Sequence, residues 1–122
     1  MTKNPNLLAA FRNAFQGLKF IYSTQRNAKI HTVITIIAIL ISILFRISAY
    51  EWIAILLAIG FVWGSECLNT AVEKVTDLVC PDYHGLAKVS KDSAAAGVLI
   101  ASFIAFCVGM IIFLPKVLAL FR

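Results

Sequence analysis

The chain sorts its residues into one periodic stretch followed by three long apolar runs. Near the start, Leu7, Leu8, Phe11, Phe15, Leu18 and Tyr22 recur at steps of three and four. Arg12, Asn13, Gln16 and Lys19 fall largely between them. This spacing predicts an amphipathic helix over about residues 5–28, with a basic polar side and no acid, lying in a membrane interface. A helix packed on a soluble partner is the plainer alternative. After it, IHTVITIIAILISILF closes at Arg46; extended to Tyr50, with Arg46 snorkelling, it approaches the roughly 20 residues a bilayer requires. We therefore expect membrane helices over about 30–50, 51–77 and 92–120. The second opens on the interfacial aromatics Tyr50 and Trp52, and the third runs through AAAGVLIASFIAFCVGMIIFL to Pro115 and beyond. Pro81, Gly85 and the polar residues around them predict a loop over 78–91. The pattern reads as a single all-α integral membrane domain spanning residues 1–122.

Composition agrees. The chain is 61% hydrophobic with a mean hydropathy of +0.89, and only 14% is charged, against about a quarter in soluble domains. The net charge of +5 would suit nucleic acid in a soluble protein. Here the basic residues flank apolar runs, so anionic lipid headgroups are the expected partner and nucleic acid is not. Lys3, Arg12, Lys19, Arg26 and Lys29 precede the first span, and Lys74, Lys88 and Lys91 surround the second connection. Only Arg46, Lys116 and Arg122 remain for the other side. This bias places the N-terminus and the 78–91 loop in the cytoplasm.

Cys67, Cys80 and Cys107 have no metal-type or disulfide spacing and read as small apolar residues. Gly60 and Gly64, and the series Gly97, Ala101, Ala105 and Gly109, are small residues at four-residue spacing. Such stripes let helices approach closely in lipid. Three helices make a thin bundle, which favours homo-oligomerisation.

The second run ends in SECLNTAVEKVTD. On a helix, Glu66, Asn69, Thr70, Glu73 and Asp77 share an arc of roughly 100°. A carboxylate in or near hydrocarbon costs several kcal/mol and marks a functional site by default. The plain alternative is a helix projecting into water, which suits Asp77 well and Glu66, three residues after Trp63, poorly. Glu66 and Glu73 stand about 10 Å apart along the axis, so two roles are more natural than one. The deeper Glu66 is placed to take a proton from an interfacial hydroxyl, and Glu73 to hold a hard cation such as Mg²⁺. Lys91 offers an ammonium for phosphate. Asp92 adds a carboxylate or serves only as a helix N-cap. By spacing alone, this is a membrane site for a cation and a polar or anionic ligand.

The motif Glu66-x-Leu68-Asn69-Thr70-Ala71-x-Glu73 with Asp77, followed by KDSAAAGVL from Lys91, resembles the bacterial diacylglycerol kinase family, which includes the undecaprenol kinases. The resemblance covers nearly the whole chain. It implies a homotrimeric kinase of the bacterial inner (cytoplasmic) membrane that transfers the γ-phosphoryl of Mg·ATP to a lipid hydroxyl, with sites shared between protomers. It further implies Glu66 as the catalytic base at the lipid hydroxyl and Glu73 as the Mg²⁺ ligand. Asn69, Asp82, Tyr83, His84, Lys91 and Asp92 would serve ATP. The Asp82-Tyr83-His84 segment looks more like the diacylglycerol branch, with undecaprenol the alternative lipid.

Two positions depart from the family pattern. Thr76 replaces a hydrophobic residue before Asp77. Gln25 stands where the family usually has a glutamate that shares Mg²⁺ with the residue matching Glu73. A glutamine offers only a neutral carbonyl oxygen. Tolerance with weaker metal binding, a substitution in this chain, or compensation by nearby groups each accommodates it. Outside the kinase class, the same carboxylates suit an ion or proton pathway, and the small-residue stripes suit a non-catalytic membrane subunit.

Overall fold

In a computed structural model, which describes residues 6–122, the chain forms four helices. They are α1 (Leu7–Thr24), α2 (Arg26–Leu44), α3 (Ala49–Val79) and α4 (Gly85–Leu120). Lys3 and the first residue of the expected 5–28 helix lie outside the described residues. The last three helices are long and apolar enough to cross a membrane. The 19 residues of α2 rise about 28 Å, close to a hydrocarbon core of about 30 Å. The 31 and 36 residues of α3 and α4 rise about 46 and 54 Å, so both overhang it.

Helix α1 starts at an Asn6 cap, whose side chain accepts from the Ala9 N–H at 2.8 Å. Its apolar residues Leu7, Leu8, Phe11 and Phe15 are exposed, and only Ile21 is buried. An uncovered apolar side bordered by the basic Arg12 and Lys19 is the form of an interfacial helix. It breaks at Gln25, not at residue 28. Gln25 adopts extended backbone (φ −103°, ψ 122°) and serves as both the C-cap of α1 and the N-cap of α2.

The first span also ends earlier than expected, at Leu44 rather than Tyr50. Arg46 N–H donates to Ile43 O and Ile47 N–H donates to Ser42 O, the paired bonds of a Schellman stop. Arg46 occupies its left-handed position at φ 51°. It is therefore a helix terminator rather than a snorkelling residue within a helix. Ser48 and Glu51 then form a reciprocal capping box that starts α3.

The expected 78–91 loop shrinks to residues 80–84, because α4 begins at Gly85. His84 is the N-cap, its Nδ1 accepting from the Leu86 N–H at 3.0 Å. Asp92 thus lies inside α4, and its alternative role as N-cap is ruled out.

Helices α3 and α4 form an antiparallel hairpin and make the most extensive helix pairing in the chain. At the end near the α2–α3 turn, Ile47, Ile55 and Ile112 are buried with Phe45, Trp52 and Phe113 around them. Lys116 pairs with Glu51 there at 3.2 Å. This knot fixes the hairpin at the end away from the polar stripe. Ala101 of the α4 stripe is buried, but Gly60 and Gly64 are exposed and a Cβ on either would meet nothing within 4 Å. Their surface is therefore unused in packing within the chain. The three cysteines are free and half-buried.

Candidate functional site

The polar stripe of α3 faces the protein at its deep end and opens toward its C-terminus. Glu66 is 1% exposed, Thr70 4% and Asn69 8%. Glu73 is half-buried and Asp77 is exposed. The arc read from spacing is thus one inward face, graded from dry to wet along about 16 Å of helix. Asn69 Nδ2 donates to Glu73 Oε1 at 3.4 Å. The Asn69 Oδ1, Thr70 Oγ1 and Glu66 Oε2 atoms are buried without a hydrogen-bond partner. Buried polar atoms are normally paired. A cluster left open this way is what a polar ligand would satisfy.

Histidine 31 completes the deep end. It projects from α2, and its Nε2 lies 3.5 Å from Glu66 Oε2. Sequence reasoning passed over it as part of an apolar run. The signal was present, since an ionisable residue inside a membrane helix is a functional candidate. Its ring packs T-shaped against Trp63, with ring centroids 6.2 Å apart, and Trp63 Nε1 donates to Thr35 Oγ1 at 3.0 Å.

At the wet end, Lys91 Nζ donates to Asp77 Oδ1 across the hairpin. Lys88 Nζ donates to Asp92 Oδ2, one turn along α4. The structure therefore brings Lys91 to the stripe's outer end, whereas Asp92 is exposed on α4 and paired within its own helix. Asp82, Tyr83 and His84 lie exposed in the short connection. The Cys80 thiol donates to the Asp82 carbonyl at 3.2 Å. Lys74 Nζ sits 5.6 Å above the Phe20 ring. This contact lays the end of α1 that leads to Gln25 beside the part of α3 that carries Glu73. The Gln25 side chain makes no capping bond to α2.

A half-open apolar cavity of about 620 Å³ runs between α2, α3 and α4, with His31, Thr35 and Ser102 among its lining residues. The site thus joins three environments: an apolar cavity beside His31, a buried carboxylate, and a charged mouth.

The prokaryotic diacylglycerol kinase family model matches residues 12–113. The chain belongs to this family. It is 42% identical over 117 residues to a diacylglycerol kinase of Synechocystis, covering 95% of this chain and 67% of that one. It is 36% identical over 107 residues to the undecaprenol kinase of Bacillus subtilis, covering 88% and 87%. The diacylglycerol kinase of Escherichia coli is 26% identical over 99 residues, covering 81% of each chain. The protein is thus a lipid kinase of the prokaryotic diacylglycerol kinase family, a multi-pass bacterial membrane enzyme that phosphorylates a lipid alcohol. The buried α3 face falls inside the matched region.

Proposed function

We propose that the protein transfers the γ-phosphoryl group of Mg·ATP to the hydroxyl of diacylglycerol at the cytoplasmic face of the bacterial inner membrane. The burial of Glu66 among unpaired polar atoms, at the dry end of a stripe whose other end is charged, carries this reading. A lipid hydroxyl approaches from the membrane side and a nucleotide from the aqueous side. Glu66 takes the hydroxyl proton as the lipid oxygen bonds to the γ-phosphorus. The bond from that phosphorus to the ADP oxygen breaks, and ADP carries away the released electron pair. Glu66 then gives up the proton to water that enters as the products leave.

The remaining residues position and neutralise, which is most of what phosphoryl transfer asks of a protein. Asn69 holds the Glu73 carboxylate by its amide and has its own carbonyl oxygen to spare. Lys91 and Asp92, with Asp82, Tyr83 and His84, serve the nucleotide at the mouth. Glu73 and Asn69 are hard oxygen donors of the kind Mg²⁺ takes. Among the described residues no three His, Cys, Asp or Glu side chains gather into a cage; a Mg²⁺ that completes its shell with water and substrate phosphates needs none. Glu73, with Gln25 as a neutral second donor, would hold the ion, which supplies charge neutralisation for the phosphates.

The exposed apolar surface and the open Gly60–Gly64 face support assembly with further copies, read here as a homotrimer with shared sites. Undecaprenol is the second reading for the lipid, favoured by the likeness to the Bacillus subtilis enzyme over 87% of its length. The test is purified protein in mixed micelles with Mg·ATP and either lipid. Faster phosphorylation of diacylglycerol is expected. Preference for undecaprenol would reassign the substrate, and no phosphorylated lipid from either would overturn the reading.

A further inference from the structure

The α2–α3 seam has two polar rungs. Thr35 receives the Trp63 indole N–H at 3.0 Å, and His31 faces Glu66 at 3.5 Å. His31 is four residues before Thr35, and Glu66 three after Trp63, so the rungs lie one turn apart in antiparallel register. The Trp63–Thr35 bond fixes that register, and the Trp63 ring, packed T-shaped on the imidazole, bounds it on one side. Glu66 Oε2 and His31 Nε2 are both buried and have no other partner. A carboxylate this deep requires a donor, and among the described residues His31 Nε2, at 3.5 Å, is the side-chain nitrogen that faces it.

We propose that His31 is a positioning residue for the kinase reaction. It donates from Nε2–H to Glu66 Oε2 and fixes the carboxylate so that its other oxygen receives the lipid hydroxyl proton. His31 itself transfers no proton and touches no phosphate. The closure that brings it to Glu66 distance is a short N–H···O bond formed as substrate enters, since catalytic hydrogen bonds are often long before substrate binds. The inference rests on Glu66 being the base and assigns that base its partner.

Two substitutions isolate the donor. His31→Phe keeps a ring against Trp63 and removes the N–H. His31→Gln keeps a neutral N–H of similar reach. With saturating lipid, His31→Phe is expected to lower kcat about 10- to 100-fold, the usual worth of a hydrogen bond to a charged group. Its KM for ATP should stay within about twofold, because the nucleotide contacts lie at the other end of the stripe. His31→Gln should recover most of kcat. Equal losses in the two variants, or no loss in His31→Phe, would overturn the proposal.

A measurement on the unaltered protein covers the case in which a variant does not fold. Nitrogen-15 NMR of histidine-labelled protein should show His31 carrying a proton on Nε2. A bare Nε2 would mean that His31 accepts from a protonated Glu66, and would overturn the proposal. Failure here is separable from failure of the kinase reading. An active enzyme that is silenced by Glu66→Gln but indifferent to His31 keeps Glu66 as the base and discards its partner.

Discussion

Lys91 on α4 reaches across the hairpin and donates to Asp77 on α3, so an ammonium at the mouth of the stripe is held by a carboxylate 14 residues earlier. Both side chains are about half exposed, at 41% and 53%. Such an exposed pair contributes little to stability. Its value lies in aiming the ammonium.

This pair gives the first prediction. Lys91→Met should raise the KM for ATP about tenfold with little change in thermal midpoint. Asp77→Asn should leave the thermal midpoint nearly unchanged and leave Lys91 free to meet a triphosphate. Initial-rate ATP titrations and a thermal scan of each variant check both. An unchanged KM in Lys91→Met would remove that residue from the nucleotide site.

Gln25 supplies the second. It sits at the bend between α1 and α2, and the Phe20–Lys74 contact draws this end of α1 toward Glu73. Replacing its neutral oxygen by a carboxylate gives a harder ligand. Gln25→Glu should lower the Mg²⁺ concentration for half-maximal activity several-fold, read from a magnesium titration at fixed ATP. An identical titration curve would separate Gln25 from the metal.

The third concerns the turn that ends α2. Arg46 holds a left-handed conformation at φ 51°, which glycine adopts without a steric penalty. Arg46→Gly should raise stability by up to about 1 kcal/mol, with the Schellman bonds kept. A fall in thermal midpoint in micelles would show that the guanidinium contributes more there than the backbone strain costs.

The same turn shows what the sequence conceals. Hydropathy located the three apolar spans and the interfacial helix, because lipid imposes a composition that one chain displays openly. The inward arc from Glu66 to Asp77 was legible too, since helical spacing alone puts those residues on one face. The end of α2 was not. A left-handed stop is normally announced by glycine, and an arginine in that place reads as a snorkelling residue inside a longer helix. The start of α4 was hidden likewise, because His84 caps it where Asp92 offered a more familiar cap. Lys88 and Asp92 are a legible i,i+4 pair, whereas Lys91–Asp77 and His31–Glu66 depend on tertiary register. His31 had a local signal in its charge-capable ring amid apolar neighbours. Its partner, 35 residues away in the sequence, became visible only once α2 lay against α3.

Glu66 is the residue on which the account turns, and Glu66→Gln tests it with the least disturbance. The amide keeps the shape of the side chain and removes a buried charge, so folding should be retained or improved. Lipid phosphorylation should fall by at least about 10² to 10⁴-fold, the usual worth of a general base, while equilibrium nucleotide binding stays within about twofold. Turnover near that of the unaltered enzyme would contradict the assignment of Glu66 as the base.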